Sequence, residues 1–407
     1  MLLDPVVATA EQLDAADPLG GFRARFAVGT EPLAYLDGNS LGRPPLATLD
    51  RLRRLHEHEW AVDLIRGWER WQHLPVQVGD QLGAGVLGAA AGQVVVADST
   101  SVCLFKALHA AAALRPGRDE LVASSGDFPT DRYLVEAVAR SRGATVRWVE
   151  PHPVDGLDPA ALAAVLGKRT ALVLLSHVDY RSAALADLAA VTALVHGAGA
   201  VVVWDLSHSA GSVPLALDDA GVDLAVGCTY KYLCAGPGAP AFLYAAERHH
   251  ERLENPVPGW FGAEDVFAMA AGHVPARGVR RMLSGTPPVA GLVAVQEGVR
   301  VVGEAGLPAI REKSVALTAR AAARLEHDLG ARGWSVASPA DPARRGSHVV
   351  LAGPGARGVE RRARERGVLA DLRHPDLVRL GLSPLTTSFA ELDTALDVLV
   401  DEALAGD

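Results

Sequence analysis

Short runs of β-branched and apolar residues alternate with helical patterns between about residue 90 and residue 245. The runs that predict strands are Val94–Ala97, Glu120–Ala123, Thr145–Val149, Ala171–Leu175, Val201–Trp204, Leu224–Val226 and Ala241–Tyr244. Helical periodicity lies near 101–114, 130–141, 159–166 and 185–197. Several strands are continuous apolar runs, as expected when both faces of a sheet are covered. The pattern predicts an α/β fold with a mostly parallel central sheet flanked by helices.

The pattern changes after about residue 287. A long amphipathic helix is predicted over 308–332, with further helices over 357–366 and 390–404 and strands near 334–337, 347–351 and 377–380. These elements predict a smaller α+β domain. We therefore expect three parts: an N-terminal segment (1–37), a large domain (38–286) and a small C-terminal domain (287–407).

Composition narrows the function classes. The chain has 407 residues and a net charge of −9, which argues against binding of nucleic acid through its phosphates. No apolar run is long enough to span a bilayer, and the acidic N-terminus does not look like a signal peptide. The three cysteines, Cys103, Cys228 and Cys234, have no CxxC spacing. This predicts a cytoplasmic protein with neither a disulfide framework nor a cysteine zinc site.

Two motifs in the sequence lack the context that their usual function needs. Gly83–Gly88 matches GxGxxG, but no strand precedes it and there is no room for a crossover helix, so glycines of a packed helix are expected. Gly38–Gly42 matches GxSxG, the nucleophile elbow of α/β-hydrolases, but it comes before any sheet has been built. A hydrolase of that fold is the weaker enzyme alternative. His249 and His250 are expected to be solvated.

Chemically useful side chains follow several of the predicted strands. Asp205 ends one strand and His208 follows it, while Lys231 comes after the next strand. Thr100 and Ser101 begin a helix, which makes a phosphate site, and Phe128 offers a flat face for stacking. In open α/β sheets, ligands bind at the carboxyl ends of strands. A phosphate site, an aromatic ring, a carboxylate for a pyridinium nitrogen and an aldehyde-trapping lysine are what pyridoxal 5′-phosphate (PLP) requires.

The chain has only four lysines, which sharpens the choice of Lys231. Lys168 lies in a polar turn, Lys313 is expected on a solvated helix face, and Lys106 lies in the helix behind the phosphate site. Structural roles compete with each functional one. Asp205 alone would be a helix N-cap, His208 alone a core histidine and Lys231 alone an exposed loop residue.

Longer motifs resemble the kynureninases, fold-type-I PLP enzymes allied to the class V aminotransferases. The resemblance covers nearly the whole chain. The segments that carry it are Tyr35–Gly42, Asp127–Asp131, Ser176–Tyr180, Trp204–Gly211, Cys228–Leu233 and Asn255–Gly262. GNSLG, FPTD and PGWFG are the more specific motifs, because class V relatives share the others.

The resemblance implies a role for each matching residue. Lys231 holds the cofactor covalently and removes the substrate Cα proton, Asp205 pairs with the pyridine nitrogen, and Tyr230 is the expected proton shuttle. The implied cofactor-binding residues are Thr100, Ser101, Phe128, Asp131, Ser176, Asp205, His208, Tyr230, Lys231, Trp260 and Thr286. Trp260 and Thr286 are expected to reach the site of the other subunit of a homodimer. Arg379, Ser40 and Trp68 are the implied substrate residues, and no metal is implied.

The implied reaction is hydrolysis of L-kynurenine to anthranilate and L-alanine in tryptophan catabolism. Trp68 and Gly285–Thr286 stand where animal members carry His and Ser-Asn, which predicts a preference for kynurenine over 3-hydroxykynurenine. Gly381–Ser383 also departs from the familiar pattern after Arg379. The alternatives are another class V enzyme, such as an aminotransferase or a desulfurase, and a non-catalytic PLP-fold protein. The residue that activates water is left open, as is the choice between catabolism and NAD biosynthesis.

Overall fold

The computed structural model describes residues 3–30 and 32–405. The strands are β1 (Ala34–Tyr35), β2 (Val94–Ala97), β3 (Glu120–Ser124), β4 (Thr145–Val149), β5 (Thr170–Ser176), β6 (Val201–Asp205), β7 (Leu224–Gly227), β8 (Ala241–Ala245), β9 (Ser335–Val336), β10 (His348–Ala352), β11 (Val368–Leu369), β12 (Asp371–Arg373) and β13 (Leu377–Gly381). The α-helices are α1 (Ala10–Ala16), α2 (Leu46–Arg54), α3 (Trp68–Trp71), α4 (Leu74–Leu82), α5 (Thr100–Ala113), α6 (Pro129–Arg142), α7 (Pro159–Val165), α8 (Leu188–Gly197), α9 (Val289–Ala305), α10 (Leu307–Leu329), α11 (Ala356–Glu365) and α12 (Phe389–Leu404). Short π or 3₁₀ turns join several of them.

The central sheet has seven strands in the order β2-β8-β7-β6-β5-β3-β4. All neighbours are parallel except β8, which is antiparallel to β2 and β7. Alternate residues of one strand enter different cores. Leu172 and Leu174 pack in the cluster that contains Leu104 of α5, whereas Val173 packs with Val195 of α8. The predicted mostly parallel sheet, covered on both faces, is therefore confirmed.

A second sheet has the antiparallel order β12-β13-β10-β9. It shares a hydrophobic core with α10, α11 and α12, which confirms the smaller α+β unit. The predicted long helix is α10, but helix α9 was not predicted. At Gly298 of α9, a Cβ atom would lie 1.9 Å from the Leu233 carbonyl oxygen. This helix therefore passes close to residues 228–235, the lysine loop, which follows β7 and carries Lys231.

The N-terminal segment is tied to the C-terminal elements. Strand β1 pairs in parallel with β11, and the carboxylate of Asp14 accepts hydrogen bonds from the first N–H groups of α12. Lys313 lies 2.7 Å from Asp17 in an ion pair that is almost fully buried. The expectation that Lys313 is solvated is therefore wrong, because its helix face is covered by this segment. The domain boundaries themselves remain a prediction.

The two histidines of the 247–252 turn are also buried, contrary to expectation. His249 Nε2 lies 2.7 Å from Asp223, and His250 Nε2 lies 2.8 Å from the Ala245 carbonyl oxygen. Sequence polarity suggested exposure, but the turn folds back on the amino ends of the central strands. The GxGxxG motif forms a π-helical turn ending at Gly88, whose φ of 61° favours glycine. In the described part of the chain, no helix is long and apolar enough to cross a membrane.

Candidate active site

A pocket lies at the carboxyl edge of the central sheet and contains about 590 Å³ of space, part of it open to solvent. Its floor is formed where β5 and β6 end, and its sides come from the starts of α5 and α6 and from the lysine loop. The lining residues are Thr100, Ser101, Leu104, Phe128, Thr130, Asp131, Ser176, Val178, Tyr180, Asp205, Ser207, His208, Tyr230 and Lys231. Nine predicted cofactor residues therefore meet in one place, although they are spread along the chain from Thr100 to Lys231.

The lysine loop is fixed by close backbone contacts. Gly42 N–H donates to the Tyr230 carbonyl oxygen at 2.8 Å. A Cβ at Gly42 would lie 2.2 Å from the Lys231 carbonyl oxygen, so this position of the GNSLG motif needs glycine. Lys231 Nζ lies 2.9 Å from His208 Nε2. Burial, with Lys231 and Arg379 close by, lowers the pKa of His208 well below its ordinary value, so the ring is neutral.

The carboxyl groups of the pocket are held differently. Asp205 Oδ1 accepts a hydrogen bond from Ser207 N–H at 2.8 Å, which fixes the side chain just after β6. Burial raises the pKa of Asp131 well above its ordinary value, and the nearby Asp205 raises it further. Burial likewise raises the pKa of Tyr230, so its phenol keeps its proton at neutral pH.

The residues present fit PLP. Thr100 and Ser101 are the first residues of a 14-residue helix, and first-turn N–H groups have no partner within a helix, so they suit a phosphate. Phe128 is partly exposed in the pocket and meets the Tyr180 ring edge-on at a centroid distance of 5.4 Å. Two buried atoms of lining residues, Asp131 Oδ2 and His208 Nδ1, have no hydrogen-bond partner among the residues that the structure describes. Such orphaned polar atoms are expected where a polar ligand binds.

Arg379 lies beside the pocket, on β13 of the second sheet, and is only 1% exposed. It donates through Nη1 to the Tyr180 carbonyl oxygen at 2.6 Å and through Nη2 to Ser40 Oγ at 3.0 Å. The Asn39 amide, oriented by its hydrogen bonds, accepts from Nε at 2.8 Å. Ser40 therefore contacts the predicted substrate arginine and is not placed as a hydrolase nucleophile.

Asp371 and Tyr180 were not predicted as site residues. Asp371 lies opposite Arg379 on β12, and its carboxylate is 2.6 Å from Nη2 and 2.7 Å from Arg373 Nε. A cross-strand partner of this kind has no signal in the sequence without the strand register. Tyr180 belongs to the Ser176–Tyr180 motif, but no role for its side chain was predicted from the sequence.

Besides Arg379 and Ser40, which lie beside the pocket, three predicted residues lie outside it in this chain. Trp68 packs against Trp71 and Phe261 at centroid distances of 5.8 and 6.0 Å. Trp260 packs on its neighbour Phe261, and Thr286 is exposed. Trp60 contacts His56 and is 60% exposed.

Comparisons with known proteins agree with this geometry. The family model "Aminotransferase class-V" matches residues 80–352. An apo cysteine desulfurase from Thermococcus onnurineus NA1 superposes with a TM-score of 0.81 at 18% identity, covering 91% of this chain and 95% of that one. A C-DES variant with glycine linked to its PLP cofactor gives 0.81 at 19% identity, covering 93% and 99%. Fold and pocket together define a PLP-dependent enzyme with the class V aminotransferase fold.

The family within that class follows from closer relatives. The model "Kynureninase C-terminal domain" matches residues 310–399. Kynureninase of Pseudomonas fluorescens is 40% identical over 395 residues, covering 95% of this chain and 93% of the relative. Kynureninase of Deinococcus radiodurans is 41% identical, covering 96% and 94%. The chain belongs to the kynureninase family.

Proposed function

We propose that this enzyme hydrolyses L-kynurenine with water to anthranilate and L-alanine. The observation that carries the proposal is a pocket lined by Lys231, Asp205 and His208, with the buried Arg379 beside it, in a chain 40% identical to kynureninase over 95% of its length. When bound, PLP supplies the electron sink that makes the substrate Cα proton acidic. The protein residues bind, orient and move protons around it.

Each side chain has a proposed role that follows from its position in the site. Arg379 binds the substrate carboxylate with its planar fork, and Ser40 helps to hold that fork. Lys231 would hold the cofactor and would accept the proton from the substrate Cα. Asp205 keeps the pyridine nitrogen protonated. Tyr230 adjoins Lys231 and holds its own proton, so it is placed to deliver protons in the later steps.

The test is direct. Purified protein loaded with PLP and given L-kynurenine is expected to release fluorescent anthranilate and alanine in equal amounts. Absence of anthranilate, with visible cofactor absorbance present, would contradict the proposed substrate but leave the cofactor assignment standing.

The desulfurase alternative is disfavoured by the cysteines. A desulfurase needs a reactive cysteine on a mobile loop, but Cys103, Cys228 and Cys234 are all free and buried. Burial raises the pKa of Cys103 and of Cys234 to about 12 and also raises that of Cys228, which keeps these thiols protonated. Three unpaired thiols also suit a reducing compartment, and we propose that the enzyme is cytoplasmic.

A homodimer completes the proposed site. Trp260 and Thr286 lie outside the pocket of their own chain, and the segments near them expose large apolar residues. Phe267, whose ring centroid lies 6.1 Å from that of Trp260, is 57% exposed, and Met269 is 74% exposed. Apolar surface of this kind is typical of an interface. A second copy would cover it and bring Trp260 and Thr286 to the neighbouring phosphate site.

Trp68 supports the proposed preference for kynurenine over 3-hydroxykynurenine. Its flat ring packs on Phe261, next to Trp260, and therefore belongs to the surface expected at the neighbouring site. A buried hydroxyl without a good partner costs about 1–3 kcal/mol. We expect kcat/KM for kynurenine to be about 10-fold higher or more. Equal values, or a preference for the hydroxylated substrate, would remove the argument.

A further inference from the structure

The proposed carboxylate site already holds a carboxylate of the protein itself. Asp371 lies directly opposite Arg379 in the antiparallel pair of β12 and β13, which places the two side chains on the same face of the second sheet. Asp371 Oδ2 is 2.6 Å from Arg379 Nη2 and 2.7 Å from Arg373 Nε. One carboxylate oxygen is therefore shared between two guanidinium groups.

The other contacts of Arg379 leave two of its N–H groups for a ligand. A guanidinium has five N–H donors. Three of them are used within the protein: Nε donates to the Asn39 amide oxygen, Nη1 to the Tyr180 carbonyl oxygen and Nη2 to Ser40 Oγ. The remaining two, one on Nη1 and one on Nη2, have no hydrogen-bond acceptor among the described residues. A carboxylate bound through both terminal nitrogens needs this pair.

Asp371 stands beside one member of this pair without closing a hydrogen bond. Its Oδ2 is buried, yet it has no directed hydrogen-bond partner in the part of the chain that the structure describes. The contact with Nη2 is thus an ion pair, whereas the Asn39, Tyr180 and Ser40 contacts are hydrogen bonds. Hydrogen bonds depend strongly on direction, and ion pairs much less. Asp371 is therefore the neighbour of Arg379 that another carboxylate can displace with the smallest loss.

The shared carboxylate lies next to the cofactor pocket and on its open side. The guanidinium carbon of Arg373 lies 5.9 Å from the centroid of the Tyr180 ring, and Tyr180 lines the pocket. The side chain of Arg379 is 1% exposed, whereas those of Asp371 and Arg373 are 19% and 31% exposed. A small ligand that approaches Arg379 from solvent therefore meets this ion pair.

We propose that Asp371 is an exchangeable counter-ion of Arg379, which the carboxylate of a bound amino acid displaces. Without substrate, Asp371 neutralises the buried guanidinium, since a buried charge without a partner is costly. When an amino acid binds, its carboxylate takes the two remaining N–H groups of Arg379, and Asp371 keeps Arg373 as its cation. Because one carboxylate replaces another, amino acids bind less tightly than the guanidinium alone would allow. The inference rests on the proposed role of Arg379 as the carboxylate site.

Two ligands that differ at the carboxylate test the exchange: L-alanine, and L-alaninol, in which a hydroxymethyl group replaces it. Each is titrated into the PLP-loaded enzyme, and the visible absorbance of the cofactor reports binding. Asp371→Asn keeps the size of the side chain but removes its charge. Because Nη2 then no longer faces a competing anion, we expect this variant to bind alanine about 10-fold more tightly than the parent.

A charge-matched control separates local competition from the mere loss of a negative charge. Asp376→Asn removes a charge from the exposed turn between β12 and β13, so it should leave both affinities unchanged. Alaninol affinity should also be the same in Asp371→Asn and in the parent. Alanine affinity that is unchanged or weaker in Asp371→Asn would overturn the proposal, because Asp371 would then only hold Arg379 in place. Asp371→Ser, which also lacks the charge, replaces the Asn variant if that variant folds poorly.

Arg373 gives a second arm. Without it, Asp371 keeps only Arg379 of the two cations, so Arg373→Gln should bind alanine about 5-fold more weakly or worse. Adding Asp371→Asn removes the competitor and should restore alanine affinity at least to that of the parent. A double variant as weak as Arg373→Gln would mean that Arg373 itself binds the ligand carboxylate, which contradicts the exchange.

Failure of the proposed function gives a different result. If Arg379→Lys binds alanine as tightly as the parent, the carboxylate site lies elsewhere, and the proposed site and the exchange are both wrong. If Arg379→Lys weakens alanine binding and Asp371→Asn does not strengthen it, the carboxylate site stands and only the exchange is wrong.

Discussion

At the scale of single residues, the positions of the four lysines identify the one that can hold the cofactor. Of the four lysines, Lys231 alone lines the pocket. Lys106 is fully buried, with its amine 2.6 Å from Asp98 and 2.9 Å from the Met282 carbonyl oxygen. It therefore ties the start of α5 to the 254–286 loop and cannot also hold the cofactor.

Replacing Lys231 by alanine should abolish turnover while the fold survives, because the amine is both the tether and the proton acceptor. Borohydride reduction of the loaded parent, followed by peptide mapping, should label Lys231 alone. Lys168→Ala, in an exposed turn, is the matched control and should keep full labelling. A label on Lys106 would show that the assignment is wrong.

Replacing Arg379 by lysine should raise KM for kynurenine by about 10-fold or more, because an ammonium cannot reproduce the two parallel hydrogen bonds of a guanidinium. The expected change is mainly in KM, since Lys231 and Tyr230 are untouched. Arg361→Lys, on the exposed face of α11, should leave KM unchanged. If Arg379→Lys also leaves it unchanged, the carboxylate site lies elsewhere, and Arg373 is the next candidate.

At the scale of secondary-structure elements, Asp223 joins several of them at the amino edge of the central sheet. Its carboxylate accepts hydrogen bonds from Val202 N–H, Arg248 and the ring nitrogens of His196 and His249, all at 2.7–2.9 Å. Burial alone would raise the pKa of Asp223, but these donors outweigh burial and hold it well below its ordinary value.

The lowered pKa of Asp223 determines how the stability of the fold changes with pH. Because the folded-state pKa is depressed, ionised Asp223 stabilises the fold above the unfolded-state value of about 4, and this contribution is lost as pH falls below it. Asp223→Asn should therefore lower the free energy of unfolding by about 3 kcal/mol at neutral pH, and by less in acid. Denaturant unfolding at several pH values measures this, with Asp119→Asn as the exposed control. A pH-independent loss would mean that the charge itself is not involved.

The strands of the central sheet are the part of the fold that the sequence predicted most accurately. The strands of the central sheet were predicted to within about one residue at each end, because both faces are covered and the runs are continuous. The nine pocket residues follow from strand ends and motifs. Helix α9, the burial of His249 and the pairing of Asp371 with Arg379 depend on contacts between distant segments, which local patterns do not carry.

At the scale of the whole molecule, three parts of the chain meet at one guanidinium. Arg379 comes from the second sheet, Tyr180 from the central-sheet side, and Asn39 and Ser40 from the segment that follows β1. Movement of the small sheet relative to the large one would therefore move the proposed carboxylate site directly.

Hybrid dimers test the proposed sharing of sites. Lys231→Ala and Trp260→Ala are each expected to be nearly inactive. When the two are dissociated and reassociated together, half of the dimers should be hybrids with one intact site each, so about a quarter of parental activity should return. Activity assays after mixing measure this, and each variant mixed with itself is the control. No recovery would mean that Trp260 serves the site of its own chain.

The placement of the lysines also has a practical consequence. Lys106 and Lys313 are locked in buried ion pairs, and Lys231 would be covered by the cofactor, so Lys168 is the only lysine side chain left for an acylating reagent. It lies in the turn before β5, at the end of the sheet away from the pocket. Amine-directed coupling through side chains would therefore attach the loaded enzyme to a support in one orientation, with its active-site edge facing the solution.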